Sequence, residues 1–249
     1  MTDLPGLAHG PVDGWLRTVL PELRGDGPWT AEVISGGLSN ITYRLHLPTG
    51  PVILRRPPLG GVLPSAHDMR REYRVLTALA PTAVPVPRTL ALCDDTGVLG
   101  CPFYTMSDVD GAVLRTADDT AALTPAQRAA LGQQLVDVLA DLHDVDADAA
   151  GLADYGRAEG YTARQIRRWG EQWARSRTRD LPDMERLLDR LAERVPARSE
   201  GTVVHGDYRL DNTIVDLAGP EPEHRVPLLD HVHIDEQPEL FGQQPHLDH

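Results

Sequence analysis

The run His205-Gly206-Asp207-Tyr208-Arg209-Leu210-Asp211-Asn212 holds the residues of this chain best suited to do chemistry together. Its H-x-D-x-x-x-x-N spacing is that of loops serving phosphoryl transfer, in which the Asp accepts the proton of an acceptor hydroxyl and the Asn holds a magnesium ion. Asp207 and Asn212 occupy those two places. Short apolar runs on either side, Thr202-Val203-Val204 and Thr213-Ile214-Val215, put the octapeptide on a loop between two expected strands, where catalytic groups tend to be held. Asp and Asn also form turns by bonding their own backbone, so the rest of the chain has to decide between a turn and a site.

A phosphate ligand needs donors, and three further stretches could supply or aim them. Between the alternating runs Thr30–Ile34 and Ile41–Leu47 lies Ser35-Gly36-Gly37-Leu38-Ser39-Asn40, whose glycines and small hydroxyl residues let backbone N–H groups approach an anion. A plain hairpin turn is the other reading of that stretch. After Pro48-Thr49-Gly50 the chain runs through Val52-Ile53-Leu54-Arg55, where period two sets Ile53 and Arg55 on one face. Phosphoryl-transfer strands of the form Val-x-x-Lys carry Lys at this place; Arg55 keeps the charge and adds a forked donor set. It could equally be a surface Arg beside Arg56. A helix is expected over Ser65–Leu79, capped by Ser65, with Met69, Tyr73, Leu76 and Leu79 as its apolar stripe. Glu72 falls inside that stripe. A carboxylate turned toward a core needs a cationic partner, and Arg55 is the expected one.

These groups need a scaffold, and 249 residues suffice for one large domain or two lobes of ordinary size. A hydrophobic share of 41% with 24% charged residues describes a soluble globular chain, and only 5% aromatics leaves the core to Leu, Val and Ala. The net charge is −13 and all 24 basic residues are Arg. An acidic chain without a basic cluster speaks against nucleic acid as the main partner. Met1–Trp15 has neither the basic nor the apolar region of a leader, and no stretch approaches the length of a membrane span, so a cytoplasmic protein without a membrane segment is expected. Cys93 and Cys101 flank an expected tight turn at Asp94–Gly97 that would set Cys93 against Val98. Two free thiols follow.

The remaining elements change character midway. A short helix is expected over 11–24, an extended connector at Val84-Pro85-Val86-Pro87, and strands over Arg88–Cys93 and Gly100–Met106. Ser107-Asp108-Val109-Asp110-Gly111 then ends the strands and marks a lobe boundary whose backbone could bond an adenine. Thr124-Pro125-Ala126-Gln127 starts a helix with both a cap and a proline at its first position. Leu131, Leu135, Val138, Leu139 and Leu142 form its buried face as far as His143. Arg-rich helices with solvated charges follow at 161–179 and 183–194, Trp169 and Trp173 sharing one face. Ile214–Leu217 and Val226–Leu229 read as a hairpin, with Asp230 directly after it.

In order along the chain, Ser35-Gly36-Gly37-Leu38-Ser39-Asn40, Leu54-Arg55-Arg56-Pro57-Pro58, Arg71-Glu72-Tyr73, Phe103-Tyr104-Thr105-Met106 and His205–Asn212 resemble the aminoglycoside phosphotransferase-like family of small-molecule kinases. Within it the similarity is to the branch associated with acyl-CoA dehydrogenases, which often carries Arg where other kinases have Lys. The resemblance implies an α+β, two-lobed protein-kinase-like fold: an antiparallel-sheet nucleotide-binding lobe over 1–106 and a mainly helical but incomplete catalytic lobe over 107–230. Beyond the resemblance, the odd composition of 231–249 leads us to expect a disordered tail. It implies ATP and Mg2+ as cofactors and a small-molecule hydroxyl as acceptor. Asp207 would be the base, Asn212 and Asp230 the magnesium ligands, Arg55 the phosphate clamp and Glu72 its orienter. Ser35, Gly36, Gly37, Ser39, Asn40 and Met106 would line the nucleotide.

After Asp230 the sequence departs from that family, whose members continue with Trp, an acidic residue, a Gly-Asp-Pro segment and several helices. Here it reads His231-Val232-His233-Ile234-Asp235-Glu236. Truncation, frameshift or a misjudged gene end would each give this, leaving a catalytically impaired nucleotide-binding or interaction protein as the alternative function and self-association through an uncovered second lobe as an expectation. Five of the ten histidines lie between His224 and His249. Their spacing matches no compact zinc pattern.

Overall fold

Alternation of apolar and polar residues through positions 30–56 becomes a sheet in the computed structural model, which describes residues 4–35, 40–60, 68–196 and 201–216. Strands β1 (Thr30–Ser35), β2 (Ile41–Leu47), β3 (Gly50–Arg56), β4 (Thr89–Cys93) and β5 (Phe103–Ser107) pair in the order β1-β2-β3-β5-β4, every pair antiparallel. The helices are α1 (His9–Val19), α2 (Pro21–Arg24), α3 (Met69–Leu79), α4 (Thr96–Leu99), α5 (Ala117–Ala121), α6 (Pro125–His143), α7 (Tyr161–Ser176) and α8 (Pro182–Glu193), with a 3-10 turn at Leu210–Asn212. The sheet therefore ends where the expected lobe boundary begins. None of the described helices is long and apolar enough to cross a membrane.

The two faces of the sheet bury different partners. Tyr43, Leu45, Val52, Leu54 and Phe103 meet Val12 and Leu16 of α1 together with Trp29, each such side chain contributing roughly 1.5–3 kcal/mol on burial. On the opposite face Ile53, Tyr104 and Met106 pack against Met69 and Leu76 of α3. The other side of α3, through Val75 and Leu79, joins Val84, Val138, Leu142, Leu152, Tyr155 and Val203. This helix thus sits between the sheet and the helical half. A fourth cluster, Leu114, Leu123, Leu131 and Val215, seats the segment around the octapeptide.

Several local expectations change. The helix expected over 11–24 is two, because Pro21 starts a new one and Leu20 before it takes a non-helical conformation (φ −132°, ψ 53°). The α3 cap is Asp68, whose carboxylate accepts the N–H groups of Arg70 and Arg71 at 3.0 and 3.3 Å; Ser65 lies outside the described residues. No tight hairpin joins β4 to β5. Asp95 instead caps the one-turn α4, Gly100 at φ +77° ends it, and Cys93 pairs with Phe103 rather than Val98. Both cysteines are free thiols, as expected. Neither flank of the octapeptide forms a strand, and the second is tied by the isolated bridge Ala112–Val215. Their expected partner at Val226–Leu229 and the tail 231–249 lie outside the described residues.

Candidate active site

Arg55 and Glu72 meet. Arg55 lies on β3 across from Thr42 of β2 and Tyr104 of β5, and its guanidinium is almost fully buried. Its Nε donates to Glu72 Oε2 at 3.0 Å. Glu72 also accepts the Asn40 amide on Oε1 at 2.5 Å and the Tyr104 hydroxyl on Oε2 at 3.2 Å. Three donors on two oxygens offset the desolvation that would otherwise expel a half-buried carboxylate from this place. The register of the sheet produces this convergence, because period two turns Arg55 and Tyr104 to the face on which α3 packs.

The octapeptide forms the second group. Gly206 takes φ +81°, a left-handed conformation that side chains disfavour, and so reverses the chain between His205 and Asp207. His205 is buried, accepts the Asp207 N–H on Nδ1 at 3.3 Å, and stands edge-on to Tyr208 with ring centroids 5.4 Å apart. The Tyr208 hydroxyl donates to Leu135 O on α6 at 2.8 Å, and burial pushes its pKa up to about 12, so it stays a neutral donor. Asn212 Nδ2 donates to both the main-chain oxygen and the Oδ2 of Asp207, each at 2.9 Å. Arg209 Nε lies 3.3 Å from Asp207 Oδ1 and 3.2 Å from Asp211 Oδ1. Asp207 keeps 47% of its side chain exposed on this fixed loop. A carboxylate so placed can meet a soluble reactant.

A third contact joins the loop to the end of the sheet. Ala112 and Val215 exchange N–H···O bonds of 2.8 Å in both directions. Gly111 before them has φ +147°, and a Cβ there would come within 2.4 Å of Ile214 Cγ2. Asp108, in the expected boundary segment, is held by Arg44 of β2 through Nε at 2.7 Å and Nη2 at 3.2 Å. That bidentate pairing raises the Arg44 pKa above its usual value.

Of the site residues expected from sequence, Asn40, Arg55 and Glu72 form one connected group, and Asp207 with Asn212 another. Met106 is buried among Ile53, Met69, Leu76 and Tyr104, its backbone engaged between β3 and β4. Ser35 ends β1 opposite Thr42. Gly36, Gly37, Ser39 and Asp230 lie outside the described residues. Sequence reading missed Tyr104, Tyr208, Arg209, Gly111 and the Arg44–Asp108 pair. Tyr104 was within reach, since it alternates with Met106 on β5. Among the described residues no cluster of three or more His, Cys, Asp or Glu is gathered for a metal.

An antiparallel five-stranded lobe joined through α3 to a helical lobe carrying an Asp–Asn loop defines a kinase-like phosphotransferase fold. Residues 30–224 match the model of the phosphotransferase enzyme family, and the chain belongs to that family. Its similarity to acyl-CoA dehydrogenase family member 10 of Mus musculus is 38% identity over 188 residues, which is 76% of this chain and 18% of that protein. The chain therefore spans about a fifth of that relative's length. A Ralstonia eutropha protein assigned as an aminoglycoside phosphotransferase has a crystal structure that superposes with TM-score 0.76 at 37% identity, covering 90% of this chain and 64% of that one. The GDP complex of aminoglycoside 2'-phosphotransferase-IIIa shares the fold, with TM-score 0.65 at 17% identity over 88% of this chain and 71% of that one.

Proposed function

We propose that this chain transfers the γ-phosphoryl group of ATP to a hydroxyl of a small molecule. The observation that carries the reading is the pair of hydrogen bonds from Asn212 to Asp207, on a loop seated by Tyr208 and Leu210. Phosphoryl transfer asks little covalent chemistry of a protein and much positioning, and this loop is built for positioning.

Asp207, half exposed and held by Asn212 and Arg209, would accept the proton of the acceptor hydroxyl as it attacks. Arg55 would grip phosphate oxygens; a guanidinium has five N–H donors, so pairing with Glu72 through Nε is compatible with that grip. Glu72 would hold Arg55 at the depth the phosphates require. The donor chemistry of Asn212 fits magnesium, because its amide nitrogen is engaged by Asp207 and its carbonyl oxygen is the hard donor such an ion prefers. Asp230, by resemblance, would be the second ligand. The ion, when bound, would neutralise charge on the transferring phosphoryl group.

A protein of this fold in complex with GDP, and the aminoglycoside phosphotransferase assignment of the Ralstonia protein, support a nucleotide and a small hydroxylated acceptor. Calorimetric titration with Mg-ATP, followed by nucleotide turnover against a panel of hydroxylated small molecules, tests the proposal. Magnesium-dependent binding with acceptor-dependent ADP release is the expected result. Absence of magnesium-dependent binding in a cooperatively folded sample would overturn it, and binding without transfer to any acceptor would favour a nucleotide-binding protein instead.

A further inference from the structure

The helix that presents Glu72 to Arg55 is gripped from its other side by the helical half. Arg71, the residue before Glu72, lays its guanidinium over the ring of Tyr155, 4.1 Å from the centroid. Its Nη2 donates to Tyr155 O at 2.9 Å, and the Tyr155 hydroxyl returns a bond to Arg71 O at 3.3 Å. One turn on, Arg74 Nη2 donates to Gly151 O at 2.7 Å. Beneath these contacts Val75 and Leu79 share a cluster with Leu152, Tyr155 and, from α6, Val138 and Leu142. The 147–155 segment is itself tightly folded, Leu152 N–H bonding Ala147 O at 2.7 Å and Tyr155 N–H bonding Leu152 O at 2.9 Å.

Magnitude separates the members of this contact. Arg74 pairs with Asp154 at the surface, both side chains well exposed, and pairs of that kind contribute little. Tyr155 is 5% exposed, and a cation held over a desolvated ring with hydrogen bonds in both directions is a far stiffer link. We propose that Tyr155 and Arg71 are positioning residues: they set the depth of α3 against the second lobe and so aim Glu72 at Arg55, making the turn that ends at Tyr155 a control point for the phosphate grip. The inference rests on the phosphate-binding role given above to Arg55.

Comparing ATP with adenosine separates positioning from general stability, because only ATP uses Arg55. In calorimetric titrations, Tyr155→Leu should weaken Mg-ATP binding by about 3- to 30-fold, the range remote coupling residues carry, and leave adenosine binding unchanged. Tyr155→Phe keeps the ring and should retain most of the ATP affinity. In a Glu72→Gln background, Tyr155→Leu should cost nothing further, since it acts through Glu72. Arg71→Met, which keeps the stem and removes the cation, carries the same expectations if Tyr155→Leu does not fold. Equal losses for ATP and adenosine, or losses that add to those of Glu72→Gln, would overturn the positioning role. If Arg55→Met removes the preference for ATP while Tyr155→Leu and Arg71→Met keep it, only this inference fails. A wild-type protein with no preference for ATP over adenosine would instead bring down the phosphate-site reading on which it rests.

Discussion

Glu72 is bonded by Asn40, Arg55 and Tyr104 at once, so no single partner carries its whole stabilisation. Arg55 is nonetheless the charged one, and truncating it leaves a half-buried carboxylate with neutral donors alone. Glu72→Gln and Arg55→Met should each weaken Mg-ATP binding, with the double variant losing less than the sum by about 0.5–3 kcal/mol, as contacting residues do. Strict additivity in calorimetric titrations would count against the pair. Asp207→Asn tests the other group. It keeps an acceptor for the Asn212 amide and removes the base, so turnover should fall by about 10²–10⁴-fold with Mg-ATP affinity nearly intact. Retained turnover in a steady-state assay would dismiss Asp207 as the base.

Among the elements, the segment after β5 decides whether the loop and the sheet keep register. Gly111 admits the Ala112–Val215 bridge because it has no Cβ, and its φ of +147° is one that side chains rarely adopt. Gly111→Ala should therefore lower stability by about 1–3 kcal/mol. It should also reduce turnover more than nucleotide affinity, because the displaced residues, Ile214 and Val215, are joined to Asn212 through Thr213 alone. Denaturant unfolding together with a comparison of kcat and KM for ATP checks both halves. Unchanged unfolding would mean that the loop relaxes away from Gly111 at no cost.

The molecule as a whole is acidic, and its acid stability depends on where carboxylates are held charged. Asp13 of α1 receives Arg24 Nε at 2.5 Å, Trp29 Nε1 at 2.8 Å and Arg17 Nε at 2.9 Å, tying α1 to α2 and to the start of β1. Burial alone would raise its pKa, but the bonds from Arg24, Arg17 and Trp29 outweigh burial and hold it at about 2, below the ordinary 3.8. A depressed folded-state value stabilises the fold above the unfolded pKa, and that contribution is lost as pH falls from about 4 through the folded value. Wild type should exceed Asp13→Asn in unfolding free energy at neutral pH by about 1.5–3 kcal/mol, the scale of hydrogen bonds to charged groups, and the gap should close near pH 2. A gap unchanged down to that pH would show that the carboxylate charge is not its source.

Much of this was legible in the sequence for a physical reason. Strand alternation is local, so β2 and β3 and the shared face of Ile53 and Arg55 followed from period two alone. The octapeptide is contiguous, and its spacing already placed Asp207 and Asn212 within reach of each other. Glu72 announced a partner by standing in an apolar stripe, and the chain held a buried Arg for it. The sequence could not determine which residues complete the group, because Asn40 and Tyr104 reach Glu72 only through the strand order β2-β3-β5 and the docking of α3. Nor could it place Asp68 rather than Ser65 at the α3 cap, where neighbouring candidates differ by about 1 kcal/mol or less and packing chooses between them. The break at Leu20, by contrast, was legible in Pro21, whose ring and missing N–H end a helix before it. The link from Tyr155 to Arg71 spans 84 positions. Contacts at that separation carry no periodicity to read, and the tertiary structure alone decided them.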